Sequence, residues 1–186
     1  MVTKLRPNSL GGSRRKIAYH YDIGNAFYGT WLDPSWTYSS AMFQHPDMTL
    51  AQAQTAKYRH MAESLSLAPG DHVLEIGCGW GGFALFVAKE YGVRVTGITL
   101  SEEQLALARH RALEAGVDTQ VDFHLRDYRQ LRGQYSHIVS VEMLEAVGEA
   151  YWPVYFDTLA RCLAPGGRAA IQCIVIDPAA YPNYRA

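Results

Sequence analysis

Cysteine is scarce in this chain and poorly placed to build a scaffold. Cys78, Cys162 and Cys173 are an odd number at scattered spacing, which argues against a disulfide framework and a thiolate metal site. The seven histidines lack metal-ligand spacing such as H-x-x-x-H, so no metal is expected. No apolar run reaches the roughly 18 residues of a membrane span. The basic N-terminus is not followed by an apolar stretch, so no secretory signal is expected. Repeats and low-complexity segments are absent. A reducing cytoplasm is the expected compartment.

Net charge is also small, at −1, but it is unevenly spread. Lys4, Arg6, Arg14, Arg15 and Lys16 all precede the first acid, Asp22. Residues 1–19, with Pro7, Gly11, Gly12 and Ser13, read as a flexible basic arm. It is either a solvated terminus or an attractor for anionic phospholipid, worth about 1 kcal/mol per basic residue near the surface. Nucleic acid would fit the arm alone, but the motifs further along argue for lipid. Apolar residues make up 48% of the 186 and charged ones 19%, which suits one globular domain with a proper core.

The stretch Val73-Leu74-Glu75-Ile76-Gly77-Cys78-Gly79-Trp80-Gly81-Gly82 organises the rest. His72 to Ile76 suits a buried parallel strand. Glycines follow, then the apolar run Phe83 to Ala88 of a buried helix. A strand, a glycine turn and a helix bring backbone close to a ligand at a helix N-terminus. Gly77, Gly79 and Gly82 satisfy the dinucleotide pattern G-x-G-x-x-G. Gly77, Gly79 and Gly81, with Glu75 ahead of them, satisfy E-x-G-x-G-x-G, which resembles the first motif of S-adenosylmethionine (SAM)-dependent methyltransferases. A dinucleotide site needs an acid after the second strand. Here that strand, Val93 to Ile98, runs into Thr99-Leu100-Ser101. Glu75 in a buried strand also needs a partner: a cationic ligand or backbone donors of the turn. SAM is favoured over NAD.

Longer motifs sharpen this. Leu74 to Gly82 and Val95-Thr96-Gly97-Ile98-Thr99-Leu100-Ser101-Glu102-Glu103-Gln104 resemble the cyclopropane-fatty-acyl-phospholipid synthase family, which includes mycolic acid cyclopropane synthases and other fatty acid methyltransferases. So do His20-Tyr21-Asp22-Ile23-Gly24-Asn25, Trp31-Leu32-Asp33-Pro34, Tyr38-Ser39, Ala51-Gln52 with Lys57, Asp127-Tyr128-Arg129 and Glu142 to Gly148. The resemblance implies a Rossmann-like class I methyltransferase sheet in 69–186, under an N-terminal helical cap in 20–68. It implies SAM contacts from Tyr38, Ser39, Val73, Leu74, Glu75, Ile76, Gly77, Cys78, Gly79, Trp80, Gly81, Thr99, Leu100, Ser101, Gln104, Asp127 and Tyr128.

Several of these residues have plain structural readings. Tyr21, Phe27, Tyr28 and Trp31 sit at helical spacing and would ordinarily serve a core; the resemblance makes them a lid. Thr49-Leu50-Ala51-Gln52 is a capping box for a helix to about Leu65. Ser101 and Gln104 form a second such box, opening a helix that ends at Gly116. Val121 to Leu125 reads as strand three and His137 to Val141 as strand four, with Glu142 and Glu145 at the ligand edge. A helix from Tyr151 to Cys162 is expected to end at Pro165-Gly166-Gly167, before strand five from Arg168 to Ile176. The family sheet has seven strands and only about five fit, so the chain reads as truncated. Strand five would then be an apolar, unprotected edge and a possible dimer contact.

The acceptor implied by the resemblance is a double bond in an unsaturated phospholipid acyl chain at a membrane surface. The chemistry is alignment in a dry pocket, cation stabilisation by aromatic faces, and proton removal. The family base is a bound bicarbonate. Glu145 matches the family glutamate, and Ile174 the strand-five position whose backbone takes part. Ser40 stands where Cys is usual and Gln172 where His is common. These exchanges fit a cyclopropane synthase or a subfamily making methyl or methylene branches. A small-molecule methyltransferase and a non-catalytic SAM- or lipid-binding unit remain alternatives.

Overall fold

The computed structural model describes Gly12 and residues 24–181. The basic arm, apart from Gly12, and the motif residues His20 to Ile23 lie outside the described residues.

Five parallel strands are β1 (His72–Ile76), β2 (Arg94–Thr99), β3 (Val121–Leu125), β4 (Tyr135–Val141) and β5 (Leu163–Gln172), in the order β3-β2-β1-β4-β5. The strand order reverses beside β1, and open α/β sheets hold ligands at that point, outside the carboxyl ends of the strands. The helices are α1 (Asn25–Tyr28), α2 (Leu50–Leu65), α3 (Gly82–Tyr91), α4 (Glu102–Ala115), α5 (Leu144–Val147) and α6 (Trp152–Cys162).

Alternation along β1 splits the core. Val73 packs with α2 and α3 through Leu65, Phe83 and Val87, while Leu74 and Ile76 pack with Tyr155 and Leu159 of α6. Each such side chain, taken fully out of water, contributes roughly 1.5–3 kcal/mol. On the first face Phe123 of β3 fills a slot left by two glycines. A Cβ on Gly97 would sit 2.6 Å from its ring, and one on Gly81 would sit 2.9 Å away. Gly97→Ala is therefore expected to cost about 1–3 kcal/mol by overpacking. Urea denaturation measures this, and adding Phe123→Leu should restore most of the loss; an undiminished loss in the double variant would point elsewhere.

Several sequence expectations need correction. Within the described part of the cap, α1 is a single turn in which Phe27 is exposed and Tyr28 is buried. Trp31 is exposed too. The Thr49 capping box is complete, with both reciprocal bonds present. The Ser101 box is only half formed. Ser101 Oγ accepts from the Gln104 N–H, but the Gln104 side chain turns to Thr99 instead. Helix α6 starts at Trp152, after a 3-10 turn (Glu149–Tyr151), and ends at Cys162 as expected. Pro165-Gly166-Gly167 lies inside β5, where pairing jumps from Tyr135–Leu163 to His137–Arg168. The irregularity absorbs a proline that a regular central ladder would not tolerate. Strand β5 ends at Gln172, so Ile174, Val175 and Ile176 are exposed residues beyond it.

Candidate functional site

A cavity opens at the carboxyl ends of β1, β2 and β4. Its floor is the glycine turn. Glu75, Ile76, Gly77, Cys78, Gly79 and Trp80 all line it. Gly79 has φ +52, and a Cβ there would meet no atom of the described residues within 4 Å, so the turn presents bare backbone to the cavity. Burial holds the Cys78 thiol well above its ordinary range, so it stays protonated.

Glu75 is fully buried on the same face as Val73. One partner is the backbone of Ala84, in the first turn of α3. Its Oε2 is buried without a partner among the described residues. Desolvation pushes this carboxyl up to about 8, against the opposing pull of the Ala84 hydrogen bond and the Lys57 charge. A buried acid with an orphaned oxygen, on the wall of a cavity, is suited to a cationic guest.

The rim on the β2 side is built by Thr99, Leu100 and Gln104. Thr99 Oγ1 donates to Gln104 Oε1 at 2.7 Å and accepts from the Ser101 N–H at 3.2 Å. Gln104 is thereby held, and among the described residues its amide NH2 is left to donate. Asp127 and Tyr128 complete this edge. Asp127 is held by its own neighbour: Arg129 Nε reaches Oδ1 at 2.8 Å and its Nη2 reaches Oδ2 at 2.6 Å.

The opposite wall is the loop 35–40, clamped by one face of α2. Gln54, Lys57 and Tyr58 are spaced i, i+3, i+4 and so point the same way. Gln54 donates to the Ser39 carbonyl at 2.8 Å, and Lys57 Nζ donates to Ser39 Oγ at 2.6 Å and to the Ser40 carbonyl at 2.9 Å. Tyr58 bonds Thr37. Burial lowers Lys57 to about 8, and the nearby carboxylate of Glu142 resists that shift. Tyr38 and Ser39 thus line the cavity. Trp80 fixes the cap from below: its Nε1 donates to Asn25 Oδ1 at 2.7 Å, and its ring lies 5.0 Å from Tyr28.

Four expected contacts lie outside the lining. Val73 and Leu74 are core side chains lower in the sheet, Gly81 faces Phe123, and Ser101 is occupied as a helix cap. Ser40 and Gln172 line a second, more open cavity with Met42, His60 and Met61. Glu145 is exposed and accepts from the Ile174 N–H, and neither residue lines either cavity. The sequence reading gave no role to Trp36, Thr37, Arg126, Met143 or Glu142, all of which line the first cavity. Glu142 carried one signal, as a second acid at the ligand edge beside Glu145.

Among the described residues no helix is long and apolar enough to cross a membrane, and no group of three or more ligating side chains could hold a metal ion.

The chain is 48% identical over 153 residues to a probable fatty acid methyltransferase of Pseudomonas putida, covering 81% of this chain and 39% of that protein. It is 45% identical over 148 residues to cyclopropane-fatty-acyl-phospholipid synthase of Escherichia coli (strain K12), covering 80% of this chain and 37% of that one. It thus spans less than half the length of these two relatives. The crystal structure of mycolic acid cyclopropane synthase CmaA1, complexed with SAH and CTAB, matches with a TM-score of 0.79 at 31% identity, over 87% of this chain and 55% of that chain. The fold is that of the class I methyltransferases. The family model for mycolic acid cyclopropane synthetase matches residues 9–183, nearly the whole sequence, and the chain belongs to that family.

Proposed function

We propose that this chain is the SAM-binding part of a carbon methyltransferase acting on the double bond of unsaturated fatty acyl chains of phospholipids, with a cyclopropane ring as product. The observation that carries the reading is the buried Glu75, whose Oε2 has no partner among the described residues, in the lining of a cavity floored by the backbone at Gly79. SAM, when bound, supplies an electrophilic methyl group on a sulfonium. Glu75 would balance its positive charge, and the amide of Gln104, fixed by Thr99, would donate to its polar edge. Trp36 and Tyr38 are aromatic residues in the cavity lining, suited to a developing carbocation. The open cavity at Ser40 and Gln172, with Met42 and Met61 in its wall, suits an acyl chain. The names of the two curated relatives support a fatty acyl acceptor. A phospholipid acceptor would put the reaction at a membrane surface, and its cytoplasmic face is the one proposed.

Ser40 and Gln172, hydrogen-bonded to Glu142, favour a second product class, a methyl or methylene branch, because the polar group beside the acceptor differs from the family's usual pair. Incubation with SAM and vesicles of unsaturated phospholipid, followed by mass analysis of the acyl chains, tests both. A ring or a methylene branch adds one CH2, and a saturated methyl branch adds CH4 relative to the alkene; olefinic proton signals separate ring from methylene. Unchanged lipid with intact SAM binding would instead support a small-molecule methyltransferase or a SAM-binding unit.

A further inference from the structure

The family resemblance implies a bicarbonate ion held at Ser40, Gln172, Glu145 and the backbone of Ile174. In this chain those donors are already engaged. Glu142 Oε1 accepts from the Ser40 N–H at 2.9 Å, from Ser40 Oγ at 2.7 Å and from Gln172 Nε2 at 2.9 Å. Gln172 Nε2 also reaches Ser40 Oγ at 2.8 Å. The Ile174 N–H is given to Glu145. A bicarbonate would meet two carboxylates and no free donor of this set, so the residues present do not fit it.

The seat is built around Glu142 itself. Its backbone lies in the left-handed region at φ +47, a conformation that costs an L-residue roughly 1–2 kcal/mol. Residues are kept in such strain where surrounding structure holds them for a purpose. Here its own N–H is fixed to the Gln172 carbonyl at 2.8 Å. Glu142 lines the first cavity, whereas its partners Ser40 and Gln172 line the second. The carboxylate therefore stands at the junction of the two chambers, where a methyl group from one side and an alkene from the other have to meet. All three side-chain contacts fall on Oε1, and Oε2 makes no hydrogen bond among the described residues.

We infer that Glu142 is this chain's own proton acceptor for methyl transfer, with Oε2 as the receiving atom, in place of a bound bicarbonate. The inference rests on the acyl-chain reading above. In that reaction the alkene π pair forms the new bond to the methyl carbon while the carbon–sulfur pair stays on sulfur. The second alkene carbon is left positive. One proton then passes from the transferred carbon to Oε2, and the freed C–H pair closes the ring. For a methylene product, a hydride first moves from the methylated carbon to the cationic one, and the C–H pair then becomes the exocyclic double bond. Protonated Glu142 returns its proton to water. The Ser40 and Gln172 donors hold the carboxylate in place throughout.

Two measurements test this on the full chain. The first is turnover in buffer stripped of carbon dioxide. Wild type should keep its rate without added bicarbonate. Glu142→Gln, which can still accept all three hydrogen bonds, should lose about a hundredfold or more, with SAM affinity by calorimetry within about threefold of wild type. The second is carbon-13 NMR of labelled bicarbonate, which needs no turnover. Wild type should leave the line sharp. Glu142→Gly, which relieves the backbone strain and vacates the donors, should broaden it. Bicarbonate-dependent wild-type turnover, a Glu142→Gln variant as fast as wild type, or line broadening by wild type would each overturn the inference. Failure of the underlying reading looks different: no unsaturated lipid is alkylated by wild type, while the NMR result still decides whether Glu142 occupies the anion seat.

Discussion

Gly79→Val is expected to abolish SAM binding while leaving the fold in place. Two effects act in the same direction. The position has φ +52, where a β-branched residue is an outlier and costs about 1–2 kcal/mol. The built Cβ also points into space where no atom of the described residues lies within 4 Å, so the added methyls displace ligand rather than those side chains. Together they should weaken binding by about a hundredfold or more, which is roughly 2.7 kcal/mol. Calorimetry with SAM and, separately, with NAD reads the effect. Gly79→Ala should lose less than the valine variant. Wild-type affinity for SAM in Gly79→Val would mean the cofactor does not pass this turn. Tight binding of NAD without SAM would overturn the cofactor assignment itself.

Glu75→Gln is expected to stabilise the ligand-free protein at high pH, although it removes a buried polar contact's charge. The carboxyl ordinarily titrates near 4.5, and burial in the fold raises it to about 8. A raised folded value means that the folded state holds a proton which the unfolded state has released. Its stability contribution is therefore complete below about 4.5 and is lost as pH rises through about 8. The full swing is roughly 5 kcal/mol as an order of magnitude. Urea midpoints of wild type should fall between pH 5 and pH 8, whereas those of Glu75→Gln should stay nearly level. Lys57, lowered to about 8, adds pH dependence of opposite sign above that value, so the window stops there. The same substitution should weaken SAM about tenfold or more, because the guest's charge loses its counter-ion. Wild type equally stable at both ends of the window would remove the argument for a protonated Glu75.

Both residues were visible in the sequence, and the reason is local. Glu75, Gly77 and Gly79 lie within five positions, and one strand and one turn suffice to orient them. The same holds for Thr99 and Gln104, whose contact spans 5 positions. The first four strands were located to within two residues because each is a short segment of clustered or alternating apolar residues bounded by turn residues. Strand five was displaced, because Pro165-Gly166-Gly167 carries the chemistry of a stop but is spent on an irregular pairing with β4. The half-formed Ser101 box was misread for a related reason: Thr99 competes for the Gln104 side chain, and a four-residue motif does not include it. Glu142 had no assigned role because none of its partners is near it in the chain. Its importance comes from Ser40 and Gln172, which only the sheet and the clamped loop bring to it.

The two chambers are thus assembled over very different lengths of chain. On the cofactor side, the Thr99–Gln104 bond closes a loop of 5 positions. At the junction, Ser40 to Glu142 closes 102 and Gln172 to Ser40 closes 132. The entropy of closing a loop grows with the logarithm of its length, about 0.6 kcal/mol for each doubling. Four to five doublings separate the two sides, so the junction carries roughly 2–3 kcal/mol more closure entropy than the cofactor edge. Its hydrogen bonds are also more exposed, at an edge strand and a surface loop. The molecule is therefore graded: a locally wound, self-sufficient cradle for the methyl donor, and a late-closing seam where distant segments meet over the acceptor.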